Sequence, residues 1–331
     1  MKTATKNFDI QLFAFEAPST MTKTTTSGIS STIKEFYDTA LLENAREASV
    51  FGQFGKTQTM SNGLSAEWRR FKTFAPATTP LTEGVAPSGS TLGIEAIHAN
   101  LSQHGDFVAV SDQLEYAAID DIIFGATEEM GAAGGATEDI LTRNALLGGT
   151  NVAYCANSSG NVPTSRGDLD GTSRLTPEYV NKAATLLKKM KAPRINGYYV
   201  AIIHPSVAED LRNSEEWKEF HKYNAVNPIF KGEIGELHGV KFVESNDAKI
   251  YKSGANAVYA TLFFGADAWG TLDPEGMGME MIIKDKSERG GPLNQYSTIG
   301  YKFMHGAAIL YQERLVRVES NSSYSATDEA N

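Results

Sequence analysis

Apolar residues recur every three to four positions in two parts of the N-terminal half, a spacing that places them on one face of a helix. The first stretch follows Ser31, and its apolar stripe consists of Ile33, Phe36, Tyr37, Leu41 and Leu42. The second begins at Asp112, with Glu115 three residues later as in a capping box, and continues to Leu147 before two glycines. The sequence therefore predicts an amphipathic helix after an N-terminal segment, and one long helix from Asp112 to Leu147.

The C-terminal half alternates between helical and strand patterns. Thr176 followed by Pro177 is a typical helix start, and the helical pattern reaches Met190. Residues 198–203 are continuously apolar and β-favouring, which indicates a buried strand, and further helical patterns follow it. Other strand candidates are residues 239–244, 257–264, 279–284 and 296–318. The polar sequence from Ser320 onward predicts a frayed end.

Residues 64–110 predict an extended β-hairpin with a long tip. Strand-like segments lie at 67–72 and 107–110, and the sequence between Phe74 and Gly93 is rich in Thr, Pro and Gly. Compact domains rarely contain so long an irregular insertion, so we expect a partner to cover it. The Thr- and Ser-rich first 31 residues similarly predict an arm that has no core of its own.

The first hairpin strand carries a basic and aromatic cluster, Trp68-Arg69-Arg70-Phe71-Lys72. Alternation along a strand places Trp68 and Arg70 on one face and Arg69 and Phe71 on the other. Such interleaving can stack nucleobases. Contact with the acidic surface of a neighbouring subunit explains the cluster equally well, and we favour it because the chain as a whole is acidic.

Length and composition narrow the class of protein. A chain of 331 residues predicts two lobes or one large composite domain. The net charge of -10 argues against tight wrapping of nucleic acid, although an acidic wall can enclose DNA without gripping it. A single cysteine, Cys155, indicates a reducing compartment and a small apolar filler role. Neither a membrane-spanning run nor a secretory signal is apparent, so we expect a cytoplasmic site of synthesis and no membrane partner.

Motifs for catalysis are incomplete throughout. The segment Gly52–Thr57 ends in Gly-Lys-Thr as a phosphate-binding loop does, but two residues separate its glycines where that loop needs four. The six histidines lack the His-x-x-x-His spacing of a zinc site, and a Gly-x-Ser-x-Gly elbow is missing. The acidic pairs Asp120-Asp121 and Glu128-Glu129 are adjacent along a helix and face different directions. We therefore expect a protein that is not an enzyme and needs no cofactor or metal.

A series of short strings, in order along nearly the whole chain, resembles capsid proteins of the Hong Kong 97 fold, and particularly the coliphage N4-type major capsid family. The strings are Asn7-Phe8-Asp9-Ile10-Gln11-Leu12-Phe13-Ala14, Phe36-Tyr37-Asp38, Phe51-Gly52-Gln53-Phe54-Gly55, Arg69-Arg70-Phe71, Ala77-Thr78-Thr79-Pro80-Leu81-Thr82-Glu83-Gly84-Val85, Gly105-Asp106-Phe107, His204-Pro205, Gly232-Glu233-Ile234-Gly235 and Gly239-Val240-Lys241-Phe242-Val243-Glu244-Ser245.

The resemblance implies an α+β fold with an N-terminal arm and helix (1–63), an extended loop (64–110), a peripheral domain with a spine helix (111–195), an axial domain (196–290), and return strands with a C-terminal tail (291–331). It also implies a major capsid protein of a tailed bacteriophage, assembled in the host cytoplasm into the virion capsid. Pentamers and hexamers of the chain would form an icosahedral shell around double-stranded DNA, without sequence-specific DNA binding. Portal, scaffold and decoration proteins would be its other partners.

Ten residues of the arm and hairpin are candidate contacts between subunits: Phe36, Tyr37, Trp68, Arg69, Arg70, Phe71, Phe74, Pro80, Leu81 and Glu83. Two alternatives stay open at this point. A cellular nanocompartment shell of the same fold (an encapsulin-like protein) would hold an enzyme cargo instead of a genome. A nucleotide- or metal-dependent hydrolase would show turnover that disappears when Lys56 or a histidine is replaced.

Overall fold

The computed structural model describes residues 22–23, 49–72, 74–81, 83–86, 88–117, 122–223, 233–254, 256–284 and 293–331. The amphipathic helix predicted after Ser31 and nearly all of the predicted arm lie outside these residues. The chain divides into two compact units. The described part of the first contains residues 22–23, 105–117, 122–132, 279–284 and 293–302, and the second contains the described residues of 49–104, 133–278 and 303–331.

The described elements combine α-helices and β-strands. The helices are α1 (Asp112–Ala117), α2 (Ile122–Leu146), α3 (Pro177–Lys189), α4 (Pro205–Asn213) and α5 (Glu215–Tyr223). The strands are β1 (Thr22–Lys23), β2 (Lys56–Met60), β3 (Ser65–Phe71), β4 (Ile94–Asn100), β5 (Ser102–Ser111), β6 (Val152–Tyr154), β7 (Tyr199–Ile203), β8 (Glu233–Leu237), β9 (Val240–Glu244), β10 (Ile250–Ser253), β11 (Asn256–Phe264), β12 (Trp269–Pro274), β13 (Glu280–Lys284), β14 (Tyr296–Ile309) and β15 (Leu315–Ser320).

The first unit is built around the close pairing of β5 with the beginning of β14. A Cβ at Gly300 of β14 would lie 2.7 Å from the main-chain oxygen of Asp106, so only glycine allows this approach. β13 runs antiparallel to β14 on its other side, with Met281 opposite Tyr301. β1 pairs in parallel with the end of β5.

The second unit contains a sheet with the strand order β6-β15-β11-β7-β9-β8, and β10 also pairs with β11. β7 lies at its centre, antiparallel to β11 and parallel to β9. Tyr199, Ala201 and Ile203 pack into a core that includes α3 and α4, whereas Val200 and Ile202 pack into a second core on the opposite face. Both faces of β7 are covered, which explains its continuously apolar sequence.

Several predicted elements are confirmed with nearly the expected bounds. α3 begins at Pro177 after the N-cap Thr176 and ends before Met190. The predicted long helix is described in two parts, α1 and α2, and residues 118–121 between them lie outside the described residues; α2 ends at Leu146, immediately before the turn that contains Gly148. Cys155 is fully buried in the core beside α3, and its burial raises the pKa of its thiol, which makes the group inert.

The predicted hairpin partner was wrong. β3 pairs antiparallel with β4, so that Trp68 lies opposite Ile97, whereas residues 107–110 belong to β5 and pair with β14. Residues 94–100 alternate weakly in polarity, and the strand was therefore not recognised from sequence. The hairpin consists of β3, β4 and the connecting segment 72–93, whose described residues form neither helix nor strand.

Two further predictions for the C-terminal region were wrong. The candidate strand 296–318 is two strands, β14 and β15, separated by a 3₁₀ turn at Gln312–Arg314. The tail after Ser320 is not frayed, because its polar side chains form hydrogen bonds with other segments of the second unit. Asn321 Nδ2 donates to Ala257 O (2.7 Å), and Ser322 Oγ donates to Ser206 O (2.7 Å). Tyr259 OH donates to a carboxylate oxygen of Asp328 (2.7 Å).

Candidate intersubunit surface

The hairpin has one face turned toward its own chain and one face turned to solvent. Along β3, Ala66 is buried and Trp68 and Arg70 are half-buried, whereas Glu67, Arg69 and Phe71 are exposed. This is the alternation that the sequence predicted for the basic and aromatic cluster. The two faces therefore need separate explanations.

Trp68 lies on the inner face and packs on β12. Its indole ring approaches Gly270 so closely that a Cβ there would lie 2.8 Å from Trp68 Cζ2. The ring also packs against a small core formed by Ala66, Ala99, Leu101 and Leu272. Trp68 thus fills a slot that a side chain at position 270 would close.

Arg70, two residues further along the same face, bonds to three parts of its own chain. Its Nη1 donates to Leu310 O (3.0 Å), and its Nε and Nη2 lie 3.0 and 2.9 Å from Glu95 Oε2 on β4. Its Nη1 also lies 3.5 Å from Glu313 Oε2. The guanidinium stands 5.2 Å from the ring centre of Tyr311. Arg70 therefore connects both hairpin strands to the turn between β14 and β15.

The outer face of β3 differs from the inner face. Arg69 Nε lies 2.6 Å from Glu67 Oε1 on the same strand, and both side chains are exposed. This pair lowers the pKa of Glu67 and raises the pKa of Arg69, chiefly through its hydrogen bond. Exposed pairs of this kind contribute little to stability. Arg69 is a charged group available to a partner.

The end of the hairpin exposes a set of large apolar side chains. Phe71 is 65% exposed and Leu81 is 75% exposed, and the other members are Phe74, Val85, Leu92 and Ile94. Pro80 and Glu83, two further predicted contacts, are also exposed, while Phe36 and Tyr37 lie outside the described residues. Single exposed apolar residues are ordinary, but a concentration on one projecting segment is typical of an interaction surface.

Sequence reasoning missed part of this set. Val85, Leu92 and Ile94 are not among the predicted contacts, although Val85 and Leu92 are apolar residues within the Thr-, Pro- and Gly-rich segment and Ile94 follows it directly.

Two buried polar anchors join α2 to other segments, through Asp139 of α2 and through His305 of β14, and the sequence did not indicate their partners. The Asp139 carboxylate accepts from Ser49 Oγ (2.8 Å), Val50 N (2.7 Å) and Phe51 N (3.0 Å). Burial raises the pKa of Asp139, and these donors oppose the shift. His305 Nε2 lies 2.9 Å from Thr142 Oγ1.

The residues considered as candidates for nucleotide binding or catalysis pack or cap secondary structure instead. Lys56 and Thr57 begin β2 and pair with β12, so Gly52–Thr57 does not lead into a helix as a phosphate-binding loop must. His204 is the N-cap of α4 and accepts a hydrogen bond from Ser206 N. The described residues contain no group of three or more side chains suited to a metal ion. None of the helices in the described part of the chain combines the length and hydropathy needed to cross a bilayer.

Solved structures with a similar fold are mostly phage capsids. The capsid of Ralstonia phage GP4 matches with a TM-score of 0.62 and 16% identity, covering 96% of this chain and 99% of that one. The capsid of cyanophage P-SCSP1u matches with a TM-score of 0.61 and 17% identity, covering 85% and 89%. A virus-like particle from Pyrococcus furiosus matches with a TM-score of 0.50 and 11% identity, covering 86% and 98%. At sequence identities of 11–17%, the similarity shows that the folds are alike and does not by itself show a shared function.

Sequence comparison identifies the family directly. Curated protein sequences gave no match. The profile of the family described as phage capsid protein matches residues 116–301, which is more than half of the chain. The chain therefore belongs to the phage capsid protein family, and it is a structural, non-enzymatic protein of the bacteriophage capsid.

Proposed function

We propose that this chain is the major capsid protein of a tailed bacteriophage, with a Hong Kong 97-like fold of the coliphage N4 type. Pentamers and hexamers form an icosahedral shell around double-stranded DNA, and the shell assembles in the host cytoplasm. Portal, scaffold and decoration proteins are its proposed partners. In this assignment residues 1–63 are the arm and its helix, 64–110 the extended loop, 111–195 the peripheral domain with the spine helix, 196–290 the axial domain, and 291–331 the return strands and tail.

One observation carries the proposal: the far end of the hairpin exposes six large apolar side chains that the described part of the chain leaves uncovered. Covering 100 Å2 of apolar surface is worth roughly 2.5 kcal/mol. That is too little to hold an isolated pair of subunits against the cost of association. Repeated around a closed ring, however, such contacts add together, because each subunit both gives and receives one.

The proposed contact residues divide according to their exposure. Arg69, Phe71, Phe74, Pro80, Leu81 and Glu83 are exposed, and we assign them to contact with a neighbouring subunit, together with Phe36 and Tyr37 of the arm. Trp68 and Arg70 contact their own chain, so any part they have in the interface includes orienting the hairpin.

The net charge of the chain is consistent with a shell that encloses DNA. At -10 the chain as a whole repels phosphates, so the DNA is confined by the wall and not wrapped around individual subunits. We expect purified subunits to bind short duplex DNA weakly and without sequence preference.

Deletion of Ala75–Leu92 tests the proposal. Lys72 N donates to Gly93 O (2.9 Å), so the chain ends flanking the deletion are already close, and residues 73 and 74 suffice to connect the strands. We expect a folded subunit, with an unchanged urea midpoint, that forms no closed particles in negative-stain microscopy. Particles of normal size from the deleted chain would refute the clamp.

A point variant refines this test. Phe74→Ser combined with Leu81→Ser removes apolar surface without shortening the loop, and Ser88→Ala combined with Ser90→Ala is the matched control in the same loop. We expect only the first to lose particles. The contents of wild-type particles then separate a virion shell, which encloses the phage genome, from a nanocompartment shell, which encloses a protein cargo.

A further inference from the structure

The main chain joins the hairpin to the rest of the second unit at its base. The connection from β2 passes through Gly63, which has a φ of +109°, and the connection to β5 is Leu101, whose N donates to Leu64 O (2.8 Å). An isolated two-stranded hairpin is marginally stable and free to swing about such a base. Its direction must therefore be set by side chains on its inner face.

Two inner-face residues supply that restraint at different distances from the base. Trp68 occupies the slot above Gly270 of β12, and Leu310 of the turn after β14 borders the same slot. Arg70 lies closer to the tip and bonds to Leu310 O, Glu95 and Glu313. A single point of contact would let the hairpin rotate about that point, whereas two contacts spaced along β3 oppose the rotation.

The geometry of Arg70 suits this task better than that of other cations. Its guanidinium is planar and presents several donors in a rigid fork, so that one side chain reaches Glu95 and the Leu310 carbonyl together. The side chain is 21% exposed, so these charge-assisted bonds are partly shielded from water. Arg69 beside it is 71% exposed, and among the described residues its ion pair is with Glu67 of its own strand.

We propose that Trp68 and Arg70 form a latch that fixes the direction in which the hairpin leaves the subunit before assembly. They are positioning residues: they do not provide the covered surface but hold Phe74 and Leu81 where a second copy of this chain can receive them. This inference rests on the proposed function, because it assigns a role within shell assembly. Preorganising the loop reduces the conformational entropy that each contact must overcome.

A distance measurement tests the latch independently of assembly. The chain has a single cysteine, which is buried, so Cys155→Ala gives a background for spin labels at Ser88→Cys in the loop and Lys189→Cys on α3. In full-length unassembled subunits, double electron–electron resonance should give a narrow distribution of distances between the two labels. Arg70→Ala should broaden it at least twofold, and Arg69→Ala, the matched control on the opposite face, should leave it unchanged.

The assembly readout uses the same variants. Loss of one charge-assisted contact corresponds to about a tenfold change in an equilibrium, so Arg70→Ala should reduce particle yield about tenfold or more while Arg69→Ala retains the latch. If Arg70→Ala fails to fold, Arg70→Lys keeps the charge but loses the fork, and it should also broaden the distribution.

The outcomes separate the two claims. An equally narrow distribution in Arg70→Ala or Arg70→Lys, or a broad one in the parent chain, overturns the latch even if particles form. If neither the parent chain nor any variant forms particles, but the distance distributions differ as expected, the latch stands as a property of the subunit and the assembly proposal fails.

Discussion

His305 should make the folded subunit sensitive to mild acid. Its side chain on β14 is 5% exposed, and its Nε2 lies 2.9 Å from Thr142 Oγ1 on α2. Burial, assisted by the nearby His104, lowers the pKa of His305 from 6.5 to about 4. Charging the ring inside the folded protein is therefore unfavourable.

The sign and size of the effect follow from these values. Below pH 6.5 the unfolded chain binds a proton at this histidine, whereas the folded chain binds it only near pH 4. The contribution of neutral His305 to the free energy of unfolding is fully present above pH 6.5 and is lost as the pH falls toward 4. A displacement of this size is worth at most roughly 3 kcal/mol. Glu138 Oε1 lies 3.8 Å from His305 Nδ1 and would partly stabilise the charged ring, so the observed loss should be smaller.

Urea unfolding of His305→Gln and of the wild-type chain, at pH values between 7 and 4, measures this loss. Glutamine keeps a group that can bond to Thr142 but does not titrate, so its stability relative to wild type should rise as the pH falls. The comparison is needed because burial raises the pKa of Glu138 and of Asp139, which acts in the opposite direction. The exposed His98→Gln is the control. A difference between His305→Gln and wild type that stays constant from pH 7 to pH 4 would refute this reasoning.

Three other substitutions test the packing. Asp139→Asn places an amide donor against the donors of residues 49–51 and should lower the unfolding free energy by about 2–4 kcal/mol in urea titration, whereas the exposed Glu128→Gln on the same helix should change it little. Glu319→Gln leaves Arg166 (Nε 2.7 Å) and Arg317 (Nε 3.0 Å) without their fully buried carboxylate, and it should lower the unfolding free energy by about 3–5 kcal/mol. The control is Glu178→Gln in the exposed pair Glu178–Lys182, which should lower the unfolding free energy by less than about 0.5 kcal/mol. Gly300→Ala brings a Cβ within 2.7 Å of Asp106 O and should lower the melting temperature by several degrees, while Gly278→Ala, which meets nothing within 4 Å, should not.

Sequence alone determined the elements whose signals are local. The Thr176-Pro177 start of α3 depends on neighbouring residues only, and the observed helix begins there. The apolar run of β7 requires cover on both faces in any compact fold. The alternation of Trp68 and Arg70 with Arg69 and Phe71 follows from the strand geometry, and it indicated correctly which residues share a face.

The tertiary structure decided what depends on residues distant in sequence. Local patterning indicated 107–110 as the second hairpin strand, but in the structure those residues belong to β5, which pairs with β14, and β3 pairs with β4. The polar tail is ordered because Ala257, Ser206 and Tyr259 offer it partners that no local pattern shows. Strand alternation places Arg69 and Arg70 on opposite faces, but only the position of the turn at 310–313 gives the half-buried Arg70 its bonding partners and leaves Arg69 exposed. Backbone propensity acts within a few residues, whereas burial and hydrogen-bond partners are set by the whole chain.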